Sequence, residues 1–194
     1  PGSMRPARAL SPDGPANLFH AVQVCASANA SGRGVMVVMN GEILPALHVV
    51  KRHSMATNGF TSSPSRTLGP VYFGRALFFS DSTKEAPAGA VGAALSNDVV
   101  LPAVDIHYVA AGNSHADLLS RDWTERSGLV IAGFGCGEIP DGLVPEINRL
   151  ADDGITIVVS SRVADVVVLP ETMTLTEGHH IVASRHLNPH KSAL

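Results

Sequence analysis

The sequence LVIAGFGCG, residues 129–137, runs from an unbroken apolar stretch into a glycine-rich turn. An apolar stretch without polar alternation is typical of a strand that is covered on both faces, as in parallel sheets. Residues 104–109 and 155–159 have a similar character, and helical periodicity separates the three strands over residues 115–126 and 140–153. This order of strands and helices predicts a small parallel sheet flanked by helices, with ligand chemistry at the C-terminal ends of its strands.

Both predicted helices have an apolar face. The third predicted strand ends in Ser160-Ser161-Arg162. Hydroxyl groups at that end of a parallel sheet either take part in chemistry or cap the strand. Gly154 is the expected C-terminal stop of the second helix. The inward residues are expected to be Leu118, Leu119 and Trp123 in the first helix and Leu143, Ile147 and Leu150 in the second.

The N-terminal part predicts a helix followed by two β-hairpins. Asp13-Gly14-Pro15 is a helix start, because an Asp side chain accepts hydrogen bonds from the free N–H groups of the first turn. Residues 35–39 predict a strand covered on both faces, and Asn40-Gly41 predicts the tight turn of a hairpin. Residues 71–79 predict a second hairpin with its turn at Gly74-Arg75. The helix is expected to pack through Leu18, Ala21, Val22 and Cys25.

Composition along the chain predicts its domain organisation. Residues 1–3, ahead of Met4, are typical of the remnant of a cleaved expression tag. Residues 4–80 are expected to form a partial N-terminal domain, in which the polar segment 52–70 is long enough to cover or contact something. Residues 81–102 predict a linker, because they are poor in bulky apolar side chains. The fold class is therefore α/β, with the remnant of an N-terminal α/β domain and a small C-terminal parallel-sheet α/β domain over residues 103–194.

Charge and hydropathy exclude several classes of function. The 194 residues carry 14 Lys and Arg against 17 Asp and Glu, a formal charge of −3 without a basic cluster, which argues against a nucleic-acid partner or an anionic membrane surface. Mean hydropathy is +0.18, but no apolar run approaches the roughly 20 residues of a membrane-spanning helix. Cys25 and Cys136 lie too far apart for a zinc knuckle. A reducing, cytoplasmic setting and a small-molecule or protein partner are therefore expected.

Two sequence features could form a ligand-binding site, and each also has an ordinary structural explanation. The glycine-rich turn 133–137 could present backbone N–H groups to an anion, but Glu138 breaks the dinucleotide-binding fingerprint, so a plain tight turn is favoured. Clustered histidines with Glu177 could hold a metal, whereas ordinary surface or capping histidines are favoured over that site. These histidines are His179, His180, His186 and His190.

No serine or threonine lies in a recognisable nucleophile motif, so pattern alone names no nucleophile. Lys51 is more informative, because it follows Val49-Val50 and precedes the long polar segment. Held half-buried at a cleft, its amine could lose a proton and act as a base. The ordinary alternative is a solvated surface ammonium.

Several short segments, spread over nearly the whole chain, match one pattern as a set. They are MRP (4–6), SPDGPANL (11–18), RGVMVVMN (33–40), VDI (104–106), AGFG (132–135), SSR (160–162) and LNP (187–189). In this order they resemble the bacterial-type L-asparaginase/glutaminase family. The resemblance implies hydrolysis of the side-chain amide of asparagine, and often of glutamine, to the acid and ammonia through a threonine nucleophile and an acyl intermediate. No cofactor or metal is expected.

The resemblance also implies residue roles. Lys51 matches the catalytic lysine that relays protons, although its neighbours differ from the family's. Each site is built between two subunits, so a homodimer or homotetramer is implied. Cys136 stands where the neighbouring subunit contributes an Asn, and the acidic substrate-binding position falls near Glu171 or Met173. A thiol cannot supply the donor and acceptor pair of an amide.

The chain departs from the family in what it lacks. It contains neither a Thr-Gly-Gly-Thr-Ile segment nor a His-Gly-Thr-Asp-Thr segment, and both of its ends are expected to be truncated. We therefore expect an amidohydrolase chain that is inactive alone. The alternative is a non-catalytic remnant that serves as an oligomerisation or weak amino-acid-binding module. An unpaired strand over residues 35–39 would favour self-association in either case.

Overall fold

The computed structural model describes residues 1–63, 67–79, 100–114 and 116–194. The chain divides into two compact units, Pro1–Leu95 and Ser96–Leu194. Of the predicted linker 81–102, residues 81–99 lie outside the described residues, and 100–102 are exposed. The described residues contain no helix that is both long and apolar enough to cross a membrane.

The N-terminal unit is one helix on an antiparallel sheet. Its elements are α1 (Gly14–Cys25), a 3-10 turn (Ala28–Ala30), β1 (Met36–Met39), β2 (Glu42–Pro45), β3 (Val49–Lys51), β4 (Phe60–Ser62), β5 (Gly69–Tyr72) and β6 (Arg75–Ala76). The main sheet has the order β1-β2-β5-β6, and β3 pairs with β4 in a separate two-stranded sheet. All of these pairs are antiparallel.

Both predicted hairpins are present, including the antiparallel return after Asn40-Gly41, but the expectation that residues 35–39 are covered on both faces is wrong. β1 pairs antiparallel with β2 around Asn40-Gly41, and Val35 is largely exposed. The second hairpin turns at Phe73-Gly74, one residue earlier than expected. β2 lies inside the sheet, because it pairs with β5 as well as with β1. The expected loop 52–70 contains β4, which pairs with β3, and the start of β5.

The buried face of α1 also differs from the expected one. Val24 is buried in a small core with strand residues, and Ala21 packs against that core. Asn17 is 2% exposed, because its side-chain amide donates to Gly2 O and Asp13 and accepts from the Asn40 N–H. Leu18, Val22 and Cys25 are exposed. A polar residue with complete hydrogen bonds thus faces the sheet where the apolar stripe was expected.

Asp13 does not cap α1 as expected. Within the described residues its carboxylate makes no cap hydrogen bond to the helix, and it accepts instead from Met4 N, Arg5 N and the Ser3 hydroxyl. These bonds, with that from the Met4 N–H the largest influence, hold the pKa of Asp13 far below its usual range. The carboxylate therefore ties the first residues of the chain to the start of α1.

The C-terminal unit has the predicted parallel sheet. Its elements are β7 (Ala103–Tyr108), α2 (Ala116–Leu119), β8 (Arg126–Gly133), α3 (Val144–Asp152), β9 (Thr156–Ser161), β10 (Ile181–Ala183) and α4 (Pro189–Ser192). The order is β10-β9-β8-β7, with every neighbouring pair parallel. The fold class is confirmed. Sequence reasoning did not predict β10, whose three residues are only half-buried or exposed.

The two helices predicted for this unit, α2 and α3, are shorter than expected. Leu143, Ile147 and Leu150 are buried as expected, with Leu143 one residue ahead of α3. Residue 115, the expected start of the earlier helix, lies outside the described residues, and α2 ends at Leu119, which is half exposed. Trp123 still packs against the core from the following loop, where its indole N–H donates to Leu118 O.

Candidate functional site

The glycine-rich segment after β8 is a tight turn closed by its own backbone. Phe134 N donates to Glu138 O at 2.9 Å, and Gly137 N donates to Phe134 O at 2.8 Å. Gly135 and Gly137 have φ of +38° and +102°. A Cβ atom on Gly137 would lie 2.9 Å from a methyl of Val168, so this position has no room for a side chain. The plain-turn interpretation of 133–137 accounts for these contacts.

The hydroxyls at the end of β9 hold neighbouring loops in place. Ser161 Oγ donates to Gly135 O at 2.7 Å and accepts from Val163 N at 2.9 Å. Ser160 Oγ donates to Leu187 O at 3.0 Å. Arg162 stacks on the ring of Phe134, 4.4 Å from its centroid, and also donates to a main-chain oxygen at the end of β7. Both serine hydroxyls act as strand caps, the second of the two expected roles.

A hydrogen bond from Thr172 joins the turn that carries Glu171 to the turn that carries Cys136. The hydroxyl of Thr172 donates to the main-chain oxygen of Cys136 at 3.1 Å and accepts from Leu169 N at 3.0 Å. The turn that carries Glu171 is thereby fixed against the glycine-rich turn, with Cys136 half-buried as a free thiol. Glu171 is exposed whereas Met173 is buried in the core, so only Glu171 of the two expected positions can offer an accessible side chain.

Lys51 lies at the end of β3 in the other unit and is exposed. Its Nζ is 5.6 Å from the ring centroid of Phe60, its partner across the β3–β4 pair. The adjacent loop is closed by His53, whose Nδ1 accepts from the N–H groups of Met55 and Ala56. The exposure of Lys51 agrees with the alternative of a solvated surface ammonium, and its catalytic role stays a prediction.

The clustered histidines form contacts in pairs. His179 Nδ1 and His180 Nε2 are 3.1 Å apart, and His190 Nε2 is 3.2 Å from the hydroxyl of Tyr108. His186 lines a small pocket at the C-terminal end of β9. Glu177 accepts from Ala183 N. Within the described part of the chain, no group of three or more His, Cys, Asp or Glu is placed to hold a metal ion.

A charged network around β7 was missed by sequence reasoning. Asp105 forms ion pairs with Arg121 at 3.2 Å and Arg126 at 2.9 Å, and Arg121 Nη2 lies 2.9 Å from His107 Nδ1. His107 is 4% exposed, and its Nε2 has no hydrogen-bond partner among the described residues. Burial, reinforced by the Arg121 charge and opposed by Asp117, lowers the pKa of His107. One sequence signal of this network exists: side chains alternate between the two faces of a strand, so Asp105 and His107 of β7 lie on the same face.

Two family models match the chain and leave little of it uncovered. "Asparaginase, N-terminal" matches residues 1–84, including residues 1–3, and "Glutaminase/Asparaginase C-terminal domain" matches residues 103–194.

Similar proteins give the same result. The chain is 31% identical over 193 residues to L-asparaginase 2 of Bacillus subtilis, of which it covers 50%, and 35% identical over 198 residues to the glutaminase-asparaginase of Acinetobacter glutaminasificans, of which it covers 59%. Both alignments cover all of this chain. Among solved structures, a probable cytoplasmic L-asparaginase from Campylobacter jejuni matches 99% of this chain and 62% of its own, with a TM-score of 0.83 and 32% identity. The chain thus spans little more than half the length of these curated relatives, and it belongs to the asparaginase/glutaminase family.

Proposed function

We propose that this chain carries part of an amide-hydrolase site for the side-chain amide of asparagine or glutamine. In this proposal Lys51 relays protons, and a neighbouring copy contributes the turns of Cys136 and Glu171 to hold the amino-acid substrate. The printed names of the relatives, L-asparaginase and glutaminase-asparaginase, support this substrate class. The chain spans 50% to 59% of those two relatives, so the activity of a whole enzyme remains part of the proposal.

The observation that carries the proposal is the position of Cys136 beside the turn of Glu171. The two residues are distant in sequence, yet the Thr172 hydroxyl joins their turns through Cys136 O. An exposed carboxylate can accept hydrogen bonds from the α-ammonium group of an amino acid. The adjacent position would suit a group that recognises the amino acid's polar end, and a thiol there is a weaker partner than an amide.

We also propose that the 194-residue polypeptide does not hydrolyse amides by itself. Amide hydrolysis through an acyl intermediate needs an activated nucleophile, and the family's two threonine segments are not in this sequence. The hydroxyls of Ser160, Ser161 and Thr172 donate to main-chain oxygens. Removing a covalent nucleophile typically lowers the rate by about four to six orders of magnitude.

Ammonia release tests this second statement. The purified chain, incubated with asparagine or glutamine, should release no more ammonia than a heat-killed sample. Lys51→Ala is the matched variant, because an exposed lysine can be replaced with little effect on folding. Turnover above the heat-killed level that disappears in Lys51→Ala would show that the chain is catalytic as it stands.

Titration calorimetry with aspartate tests the binding site. Cys136→Asn should tighten aspartate binding about fivefold, because a side-chain amide supplies a hydrogen bond that the thiol cannot, worth about 1 kcal/mol. Cys25→Asn, at the other free cysteine, should have no effect, and Glu171→Gln should weaken binding. Equal responses to Cys136→Asn and Cys25→Asn would contradict the assignment.

A further inference from the structure

The loop after β3 is closed by a histidine at a position that another kind of side chain normally fills. His53 Nδ1 accepts hydrogen bonds from Met55 N at 3.0 Å and from Ala56 N at 2.9 Å. A side-chain acceptor bonded to N–H groups a few residues further along the chain is the pattern of an Asx or ST turn, which Asp, Asn, Ser or Thr normally provides. In this loop an imidazole nitrogen takes the place of the side-chain oxygen.

An imidazole differs from those side chains because its capacity to accept a hydrogen bond depends on pH. Nδ1 accepts only while it carries no proton, so the two bonds assign the ring proton of neutral His53 to Nε2. Histidine ordinarily gains its second proton between about pH 8 and pH 5, and both ring nitrogens are then donors. His53 is exposed, so its ring is accessible to solvent protons. Protonation therefore places a donor opposite the N–H groups of Met55 and Ala56.

The base of the loop is closed by separate contacts that do not involve the imidazole. Gly59 O accepts from Arg52 N at 2.8 Å and from His53 N at 3.2 Å. A Cβ atom on Gly59 would lie 2.5 Å from His53 O and 2.9 Å from the terminal methyl of Met4, so this position has no room for a side chain. Loss of the two imidazole bonds therefore frees residues 54–56, while the base of the loop stays closed.

The two ends of the loop belong to the strand pair that positions Lys51. Lys51 is the last residue of β3 and pairs with Phe60, the first residue of β4. Its Nζ lies 5.6 Å from the centroid of the Phe60 ring. The loop thus begins two residues after the candidate catalytic lysine and ends directly before its aromatic neighbour.

The ionisable groups around His53 ordinarily keep one charge over the same pH range. Residues 54–59 and β4 contain no ionisable side chain. Lys and Arg ordinarily stay protonated there. Asp13 accepts from Met4 N, and this bond, the largest influence, holds the pKa of Asp13 far below its usual range, so the carboxylate stays charged. The ionisable side chains on the adjoining segments are Arg5, Asp13, Lys51 and Arg52.

We propose that residues 53–59 form a pH-sensitive flap beside Lys51, held closed by the unprotonated imidazole of His53 and released when that imidazole gains a proton. The flap itself depends on no catalytic activity. Its bearing on amide hydrolysis rests on the proposed role of Lys51, because acid frees the segment that follows this amine. Release is local, since the contacts of Gly59 and the β3–β4 pair remain.

Hydrogen exchange of the full chain, followed by NMR from about pH 8 to pH 5 and corrected for the intrinsic pH dependence of exchange, tests the flap. Protection of the Met55 and Ala56 amides should fall at least about fivefold, as expected for the loss of a hydrogen bond. The Arg52 amide and the amides of β1 and β2 should stay protected, which separates flap release from unfolding. The ring ¹⁵N shifts of His53 should show a proton on Nε2 before the fall and on both nitrogens after it.

His53→Asn is the variant that isolates the titration, because an Asn side chain supplies an acceptor that does not titrate. It should keep the Met55 and Ala56 amides protected over the whole pH range, whereas His53→Ala should leave them unprotected throughout. His179→Asn, at an exposed histidine of the other unit, should retain the wild-type pH dependence.

Two results would overturn the flap. One is constant protection of the Met55 and Ala56 amides in the wild-type chain, and the other is a fall that persists unchanged in His53→Asn. Because these measurements do not involve ammonia release, failure of the flap and failure of the proposed hydrolase role of Lys51 can be told apart.

Discussion

The two units of this chain bury their apolar residues to different extents. In the C-terminal unit the parallel sheet, α3 and the following loops share one large core, and residues 129–133 of β8 are completely or almost completely buried. Among the described residues of the N-terminal unit the core cluster is small, with five buried members, and Leu18, Phe19, Val22 and Val35 remain exposed. The C-terminal unit therefore buries its apolar residues in its own core, whereas the N-terminal unit leaves large apolar side chains exposed.

Two leucines on helices provide the strongest test of this difference. Leu150 on α3 is 1% exposed, and Leu18 on α1 is 57% exposed. Leu150→Ala should lower the free energy of unfolding of its unit by about 3 to 4 kcal/mol, because the dense core leaves a cavity. Leu18→Ala should cost less than about 0.5 kcal/mol at concentrations where the chain is monomeric.

The measurements can report on each unit separately. Trp123 is the single tryptophan and packs against the C-terminal core, so its fluorescence during urea unfolding follows that unit. Hydrogen exchange of the β1 and β2 amides follows the N-terminal unit. A Leu18→Ala cost comparable to that of Leu150→Ala would mean that the outer side of α1 is covered within the monomer.

Two glycines with positive φ test packing density more locally. Gly137 in the C-terminal unit has φ +102° and a neighbouring methyl of Val168 only 2.9 Å from a built Cβ atom, whereas for Gly41 in the N-terminal unit, with φ +76°, the nearest atom is 3.9 Å away. Gly137→Ala should therefore cost about 2 to 3 kcal/mol, and Gly41→Ala about 1 kcal/mol from backbone strain alone. Equal costs in urea unfolding would mean that the turn 133–137 shifts readily, together with Cys136.

The sequence predicts the parallel sheet of the C-terminal unit better than the antiparallel sheet of the N-terminal unit. In a parallel sheet both faces are covered, so an apolar run such as residues 129–132 has one consistent interpretation. In the N-terminal unit the same kind of run, residues 35–39, belongs to an antiparallel hairpin, which its Asn40-Gly41 turn indicated correctly. The face of α1 was predicted wrongly, because apolar periodicity cannot show that Asn17 completes its hydrogen bonds inside the sheet contact.

Only those parts of the candidate site that depend on the identity of single residues could be predicted from the sequence. Resemblance pointed to Cys136 and to either Glu171 or Met173, and the structure shows which of the latter two is exposed. The role of Thr172 could not be predicted, since its hydroxyl joins two turns through main-chain atoms and no side-chain pattern records such a bond. The network of Asp105, His107 and Arg121 depends on a loop arginine, which strand periodicity does not place.

Acid should affect the two units in different pH ranges. His107 in the C-terminal unit has a pKa below its ordinary 6.5, chiefly because it is buried and secondly because of the Arg121 charge. As the pH falls below about 6.5, the unfolded chain takes up a proton that the folded unit resists, so stability is present at higher pH and is lost on acidification. The loss for this one group is at most about 1.4 kcal/mol per pH unit. His107→Gln should flatten the dependence of the Trp123-detected unfolding free energy, whereas His179→Gln, at an exposed residue, should leave it intact.

The N-terminal unit should respond at lower pH through Asp13. The pKa of Asp13 is lowered from 3.8, first by the hydrogen bond from the Met4 N–H, so the stability it contributes is present above about pH 4 and is lost as the pH falls further. Asp13→Asn should remove this low-pH dependence from the exchange of the β1 and β2 amides without changing their behaviour between pH 5 and 7. The effect should be the smallest of those predicted, because the carboxylate is partly exposed and solvent screens its interactions. If the β1 and β2 amides instead lost protection together with the change in Trp123 fluorescence near pH 6, the two units would unfold together. That result would contradict separate stabilities for the two units.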